Sequence, residues 1–293
     1  MLFGWIIARA RDIDVQPIAV VLIFIISPIV AFGATAQLAF KGIFVFLPLF
    51  TLMISATIGL ACFGLGRKFL QQKDLAYLLP IVTGGGNNGY FGLPLAVAVF
   101  APEQIGVYFL IMLGVTMFES TMGYYFIARG ELSVAAAVKR AAKMPTIYAI
   151  LAGLGFATLN IPLNDGFIKL HDAARGAYIC MGMIIIGMAL ARHRRLSWNV
   201  DFLALGVFGK YILWTLAVCG FIWLDNHVLM LYDVEIHKMM MILALTPAAA
   251  NAAAYAAETG FKPQHAATIV FFTTAISFAF VPFVLPALFS VLR

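Results

Sequence analysis

The sequence predicts an all-α integral membrane fold of two inverted five-helix repeats, ten helices of which the first is short. Three observations predict it. Of 293 residues, 63% are apolar and only 11% charged; uncharged stretches of membrane-spanning length recur along the whole chain; and the most basic connection falls near the middle. A soluble domain is nearer a quarter charged and half apolar, so lipid is the solvent. Lipid also dictates the element type, because it satisfies no backbone N–H or C=O group and an α-helix satisfies its own.

A hydrocarbon core about 30 Å thick takes roughly 20 apolar residues per helical span. Residues 1–8 (MLFGWIIA) read as the last turns of a helix that ends at Arg9 and Arg11. That is too short to cross, so either the start is truncated or the first helix is partial. Residues 15–40, 42–66 and 75–102 hold no Asp, Glu, Lys or Arg and supply the second to fourth helices, and 104–128, charged only at Glu119, supplies the fifth. The basic connection 129–143 (RGELSVAAAVKRAAK) follows. The remaining five helices come from 144–163, 176–191, 202–224 (charged only at Lys210), 239–257 and 266–292. The organisation is therefore one transmembrane domain: repeat one at 1–128, a cytoplasmic linker at 129–143, and repeat two at 144–293. Five helices per repeat is an odd number, which inserts the second repeat upside down, an arrangement common in secondary transporters.

The net charge of +6 has to be read loop by loop. Thirteen of the 19 lysines and arginines, from Arg9 and Arg11 through the 129–143 loop to Lys262, fall on one set of alternating loops. By the positive-inside rule that set is cytoplasmic. The expected location is the plasma (inner) membrane, multi-pass, with the C-terminus outside, and no nucleic-acid partner is implied. Positive charge follows the first apolar run instead of preceding it, which argues against a signal peptide. Cys62, Cys180 and Cys219 all lie within spans and make neither a CxxC pair nor a disulfide framework.

The fourth helix of each repeat carries an interruption. Residues 83–94 read TGGGNNGYFGLP, with five glycines among the nine residues from Gly84 to Gly92, and residues 246–251 read TPAAAN. Glycine and proline weaken helix continuity, proline by removing a donor and clashing with the preceding turn. Interruptions at corresponding positions of two halves are the best sequence pointer to a transporter binding site. Pro28, Pro48, Pro145, Pro282 and Pro286 read instead as kinks or helix ends.

Each break exposes N–H groups at the start of its second half, near Pro94 and near Asn251, with roughly half a positive charge from the peptide dipoles. In inverted halves both positive ends converge on the midplane, which makes an anion site without Lys or Arg. The side-chain amides of Asn87, Asn88 and Asn251 are the expected donors. Tyr90 and Tyr255 either close the sides or serve as packing aromatics, and Gly92, Pro94 and Pro247 complete the expected substrate-binding set. The partner read from this is a small organic anion. Glu119 is the coupling candidate, because an ionisable group inside an apolar helix is a functional hypothesis by default; the alternative is a protonated or hydrogen-bonded structural Glu near one interface. Lys210 reads as a residue snorkelling towards the cytoplasmic side, and Glu258 as a helix end. No cofactor or metal site is read, and the coupling ion is H+ or Na+.

GNNGYFGLPLAVAVF at 86–100 and TPAAANAAAYAAETG at 246–260 resemble the fourth- and ninth-helix patterns of the auxin efflux carrier (PIN-like) family, here in its bacterial type. The resemblance covers nearly the whole chain. It implies ten helices in two inverted repeats, with broken helices four and nine crossing at the midplane and Asn88, Pro94, Pro247 and Asn251 at the substrate crossover. It also implies a carrier of small carboxylates. Malate, malonate and indole-acetate-like acids all suit such a site, and a homodimer is among the open assemblies. The short first helix and Glu119, where the family more often has a neutral polar residue, depart from the pattern. A sodium-coupled bile-acid-type symporter of the same general fold is an alternative.

Other signals carry less. Gly84, Gly86 and Gly89 satisfy GxGxxG, but no strand precedes them and no acidic residue follows at the right distance. Gly89-Tyr90-Phe91-Gly92 faintly resembles a potassium-channel filter, which makes an ion channel the second class. The histidines at 171, 193, 227, 237 and 265 show no HExxH or metal-ligand spacing, so no enzyme is expected.

Overall fold

The computed structural model describes residues 2–11, 13, 15–39, 41–128, 145–192 and 197–291. The basic connection at 129–143 lies outside them, as does His193. Within the described residues the ordered elements are all helical: α1 (Leu2–Ala10), α2 (Val15–Val21), α3 (Ser27–Ala36), α4 (Phe46–Phe69), α5 (Leu93–Val99), α6 (Ile105–Phe118), α7 (Tyr124–Ile127), α8 (Pro145–Thr158), α9 (Asp165–Arg192), α10 (Val200–Val207), α11 (Trp214–Leu224), α12 (Val234–Leu245), α13 (Ala250–Thr259) and α14 (Pro263–Val291). Short 3-10 and π segments join several of them. This is an all-α integral membrane protein, as the composition requires.

Among the described residues, four helical stretches are long and apolar enough to cross a membrane: Gly42–Phe69, Pro102–Ile127, Val200–Leu229 and Pro263–Ser290. A fifth, Val234–Leu245 with Ala250–Ala256, is bent by 41° at its break. The other uncharged stretches do not form single apolar helices of that length among the described residues: 144–163 gives the 14-residue Pro145–Thr158, and 75–102 is divided into short pieces. In 15–36 a π turn at Leu22–Ile26 precedes Pro28, whose missing N–H removes one rung of the ordinary ladder. The 104–128 and 202–224 stretches hold π turns beginning at Glu119 and at Phe208, each of which carries the span's one charged residue. α14 is unbroken through Pro282 and Pro286, so neither ends a helix.

The chain divides into two compact units, each drawing on both halves of the sequence. Unit 1 comprises Met1–Val45, Gly89–Leu110 and Ala142–Arg194. In it α1, only nine residues long, packs on α9, with Gly4 against the Ile184 carbonyl. α3 packs on α8, where Ser27 and Thr146 hydroxyls lie 3.3 Å apart. Gly153 of α8 lets the α3 backbone and the Thr35 hydroxyl approach where a side chain would otherwise stand.

Unit 2 comprises Phe46–Asn88, Ile111–Ala141 and Arg195–Arg293. α4 is its scaffold. Gly114 of α6 meets the Pro48 carbonyl and the Thr51 hydroxyl, and that hydroxyl donates to the Ile111 carbonyl at 2.8 Å. Small residues at helix contacts are what a lipid-solvated protein needs, because van der Waals contact and interhelical hydrogen bonds, not exclusion of water, hold its helices together. Gly209 likewise brings its helix against Cys62 of α4 and Thr83.

Helix contacts of this kind fail when a side chain is inserted. Gly153→Val places its branches into Thr35 and α3 backbone and should cost about 1–3 kcal/mol, read as a lower unfolding temperature of the purified protein. Gly155→Ala, on the same helix where a β-carbon meets nothing within 4 Å, should unfold with the wild type. Equal unfolding temperatures for wild type and Gly153→Val would show that this contact does not hold the helices.

Candidate functional site

The fourth predicted helix is interrupted at its glycine triplet. A 3-10 segment (Lys73–Leu78) and a π turn (Pro80–Gly84) form its first half, Gly85 is extended at φ −83° and ψ 176°, and helical structure resumes with a π turn at Asn88–Gly92 leading into α5. The second half therefore starts at Asn88, not near Pro94 as the sequence reading had it. Three consecutive glycines offer the least resistance to unwinding, whereas Pro94 sits at the front of α5, where the π turn before it absorbs the misfit of its ring. The ninth predicted helix is interrupted between α12 and α13. Thr246 there is extended at φ −68° and ψ 146°, and Asn251 is the second residue of α13.

The two breaks meet directly. The Asn87 N–H donates to the Pro247 carbonyl at 2.9 Å, and the Thr246 hydroxyl donates to Asn88 Oδ1 at 3.0 Å. Glu119, 4% exposed, then clamps both. Its Oε1 accepts the Gly86 N–H at 2.9 Å, and its Oε2 accepts Asn251 Nδ2 at 2.9 Å. A break's freed amide and the amide side chain facing it thus hold one carboxylate belonging to the protein itself.

Lys210 completes the cluster and corrects the sequence reading. It does not snorkel: it is 1% exposed, and its Nζ donates to the Gly85 carbonyl at 2.9 Å and the Leu243 carbonyl at 3.3 Å, 4.7 Å from the centre of the Trp214 ring. The reason is its place in the π turn Phe208–Leu213, immediately after Gly209, whose contact draws this helix close to the break. The site is thus not free of basic side chains. A β-carbon on Gly86 would stand 2.8 Å from Lys210 Nζ, 2.9 Å from Thr246 Oγ1 and 3.0 Å from Asn88 Oδ1, so only glycine lets these groups close on the turn.

The remaining carbonyl ends are capped by side chains that sequence reasoning missed. Trp214 Nε1 donates to the Thr83 carbonyl at 2.6 Å, the Thr246 hydroxyl to Leu243 at 2.8 Å and the Ser277 hydroxyl to Leu245 at 2.8 Å. The Thr273 hydroxyl receives the Ala248 N–H at 3.1 Å. Of the expected site residues, Asn87, Asn88, Glu119, Pro247 and Asn251 come together in unit 2. Tyr255 is buried in the same unit, edge-on to Tyr124 at 5.0 Å. Tyr90, Gly92 and Pro94 belong to unit 1, where Tyr90 runs along α9 at Gly182.

Residues 131–285 match the family model described as membrane transport protein, the family of the auxin efflux carriers. The chain belongs to this family. The match takes in Lys210, Pro247 and Asn251, while Glu119 and the first break lie ahead of it. No curated protein gives a significant match. As a family member the chain is a multi-pass membrane transporter.

If Glu119 holds the two breaks together, Glu119→Ala leaves the Gly86 N–H and the Asn251 amide without their acceptor. Each buried unpaired group costs about 1–3 kcal/mol, so this variant should unfold at a clearly lower temperature than Asn251→Ala, which removes one of the two contacts. The clamp would be refuted by a Glu119→Ala protein as heat-resistant as the wild type.

Proposed function

We propose that the chain is a secondary carrier of a small organic anion, a carboxylate, working by alternating access around its two breaks. One observation carries the reading: buried Asn87, Asn88, Glu119, Lys210 and Thr246, with half-buried Asn251, join two unwound backbones inside otherwise apolar spans. Polar and ionisable groups within membrane helices are costly and mark solute or ion pathways.

Magnitudes support an anion held by amides. A helix terminus offers a charge about 0.3–2 kcal/mol, against an effective desolvation cost of several kcal/mol for a buried carboxylate. Hydrogen bonds to the charged group, about 1.5–3 kcal/mol each, close the difference, and the asparagines beside the breaks are positioned to supply them. Glu119 fits the coupling role. Its carboxylate engages the donors that an incoming carboxylate needs, so an anion binds there in competition with it. A proton taken up by Glu119 weakens that hold and enters with the substrate. In the cell the carrier would reside in the inner membrane with its C-terminus outside.

Purified protein reconstituted into liposomes and screened with labelled organic acids, malate, malonate and indole acetate among them, should show saturable uptake and counterflow for at least one. Asn88→Ala and Asn251→Ala should each lower that uptake about 10- to 100-fold, the equivalent of one charge-assisted hydrogen bond. Wild-type rates in both variants would remove these residues from the site, and unitary currents in place of counterflow would make the protein a channel.

A further inference from the structure

The carbonyl ends of the two broken helices raise a separate question, which rests on the carrier reading above. A helix that stops inside a membrane presents C=O groups and a partial negative charge at the end of its first half. In carriers built this way such unwound carbonyls coordinate the driving cation. Here a side chain is already there. Lys210 Nζ reaches the Gly85 carbonyl of one break and the Leu243 carbonyl of the other, at 2.9 and 3.3 Å. It is fully enclosed and backed by the Trp214 ring at 4.7 Å. The neighbouring carbonyls of Thr83 and Leu245 are also taken, by Trp214 Nε1 and the Ser277 hydroxyl.

We propose that the Lys210 ammonium is a tethered substitute for a coupling cation, bridging the carbonyl ends of both breaks, so that transport by this chain does not draw on sodium. Three features fit together in this assignment. An ammonium is a compact point charge with three donors on a flexible stem, which suits it to a cradle of backbone oxygens drawn from two separate helices. Glu119 lies across the same turn: a β-carbon on Gly85 would be 3.0 Å from Glu119 Oε1, and one on Gly86 would be 2.8 Å from Lys210 Nζ. The tethered cation and the tethered anion thus grip opposite polarities of one break, the carbonyl of Gly85 and the amide of Gly86. Truncating Lys210 beyond its β-carbon would open the Gly85 and Leu243 carbonyls to a small alkali cation.

Thermal unfolding of the full-length protein in detergent, in sodium chloride against choline chloride at equal ionic strength, tests this with sodium itself as the probe. Wild-type protein should unfold at the same temperature in both salts. Lys210→Ala should be less stable than wild type in choline and gain on the order of 3 °C in sodium at about ten times its dissociation constant. Lys210→Met, which fills the cradle with an apolar chain, should be indifferent to the salt. If Lys210→Ala does not fold, Lys210→Ser takes its place in the comparison. Stabilisation of the wild type by sodium overturns the proposal, as does indifference of the truncated variant. Wild-type stabilisation would leave a sodium-coupled carrier standing, whereas absence of organic-acid flux would sink the carrier reading whatever the salts show.

Discussion

The constraint on which this structure turns is that a peptide group without a helical partner cannot be left bare in hydrocarbon. Each one exposed there costs several kcal/mol. Breaking two helices in one region creates such groups at four ends, and their satisfaction organises everything around them. The Gly86 amide goes to Glu119, the Asn87 amide to Pro247, and the Gly85 and Leu243 carbonyls to Lys210. Thr83 and Leu245 are served by Trp214 and Ser277. Glu119 and Lys210, out of place in their apolar stretches, are side chains that answer the breaks.

Much of this was legible in residue order because the signals are local. Span length and the absence of charge follow from bilayer thickness, and a run of glycines or a proline weakens a helix wherever it occurs. Glu119 stood out by the same logic, as one carboxylate in an apolar stretch. Lys210 carries an equal signal but reads as interfacial, since nothing in the order of residues tells whether a long basic side chain reaches outward to water or inward to a carbonyl. That choice is made by Gly209, whose missing side chain sets how near its helix comes to the break. The break itself lies at Gly85–Asn87 and not beside Pro94, because a π turn relieves the proline and no comparable device straightens three glycines.

The compact units were not legible at all. Unit 1 gathers 1–45, 89–110 and 142–194, so the packing partner of a helix in the first half is often in the second. The pairing of α1 with α9 is an example, with Gly4 set on the Ile184 carbonyl. Periodicity describes one face of one helix and is silent about which distant helix covers it. The chain passes from unit 2 to unit 1 between Asn88 and Gly89, at the resumption of the broken helix. α12 and α13, which flank the second break, lie within the residues that match the family model.

The pairing of Glu119 with Lys210 at one turn also bears on how the protein experiences the membrane voltage. Opposite formal charges held together feel no net force from the transmembrane field, so shifting them as a body costs nothing electrically. A single unit charge carried across the full field is worth about 2.3 kcal/mol per 100 mV. Losing either member of the pair, or protonating Glu119, would therefore leave one unbalanced charge inside the field.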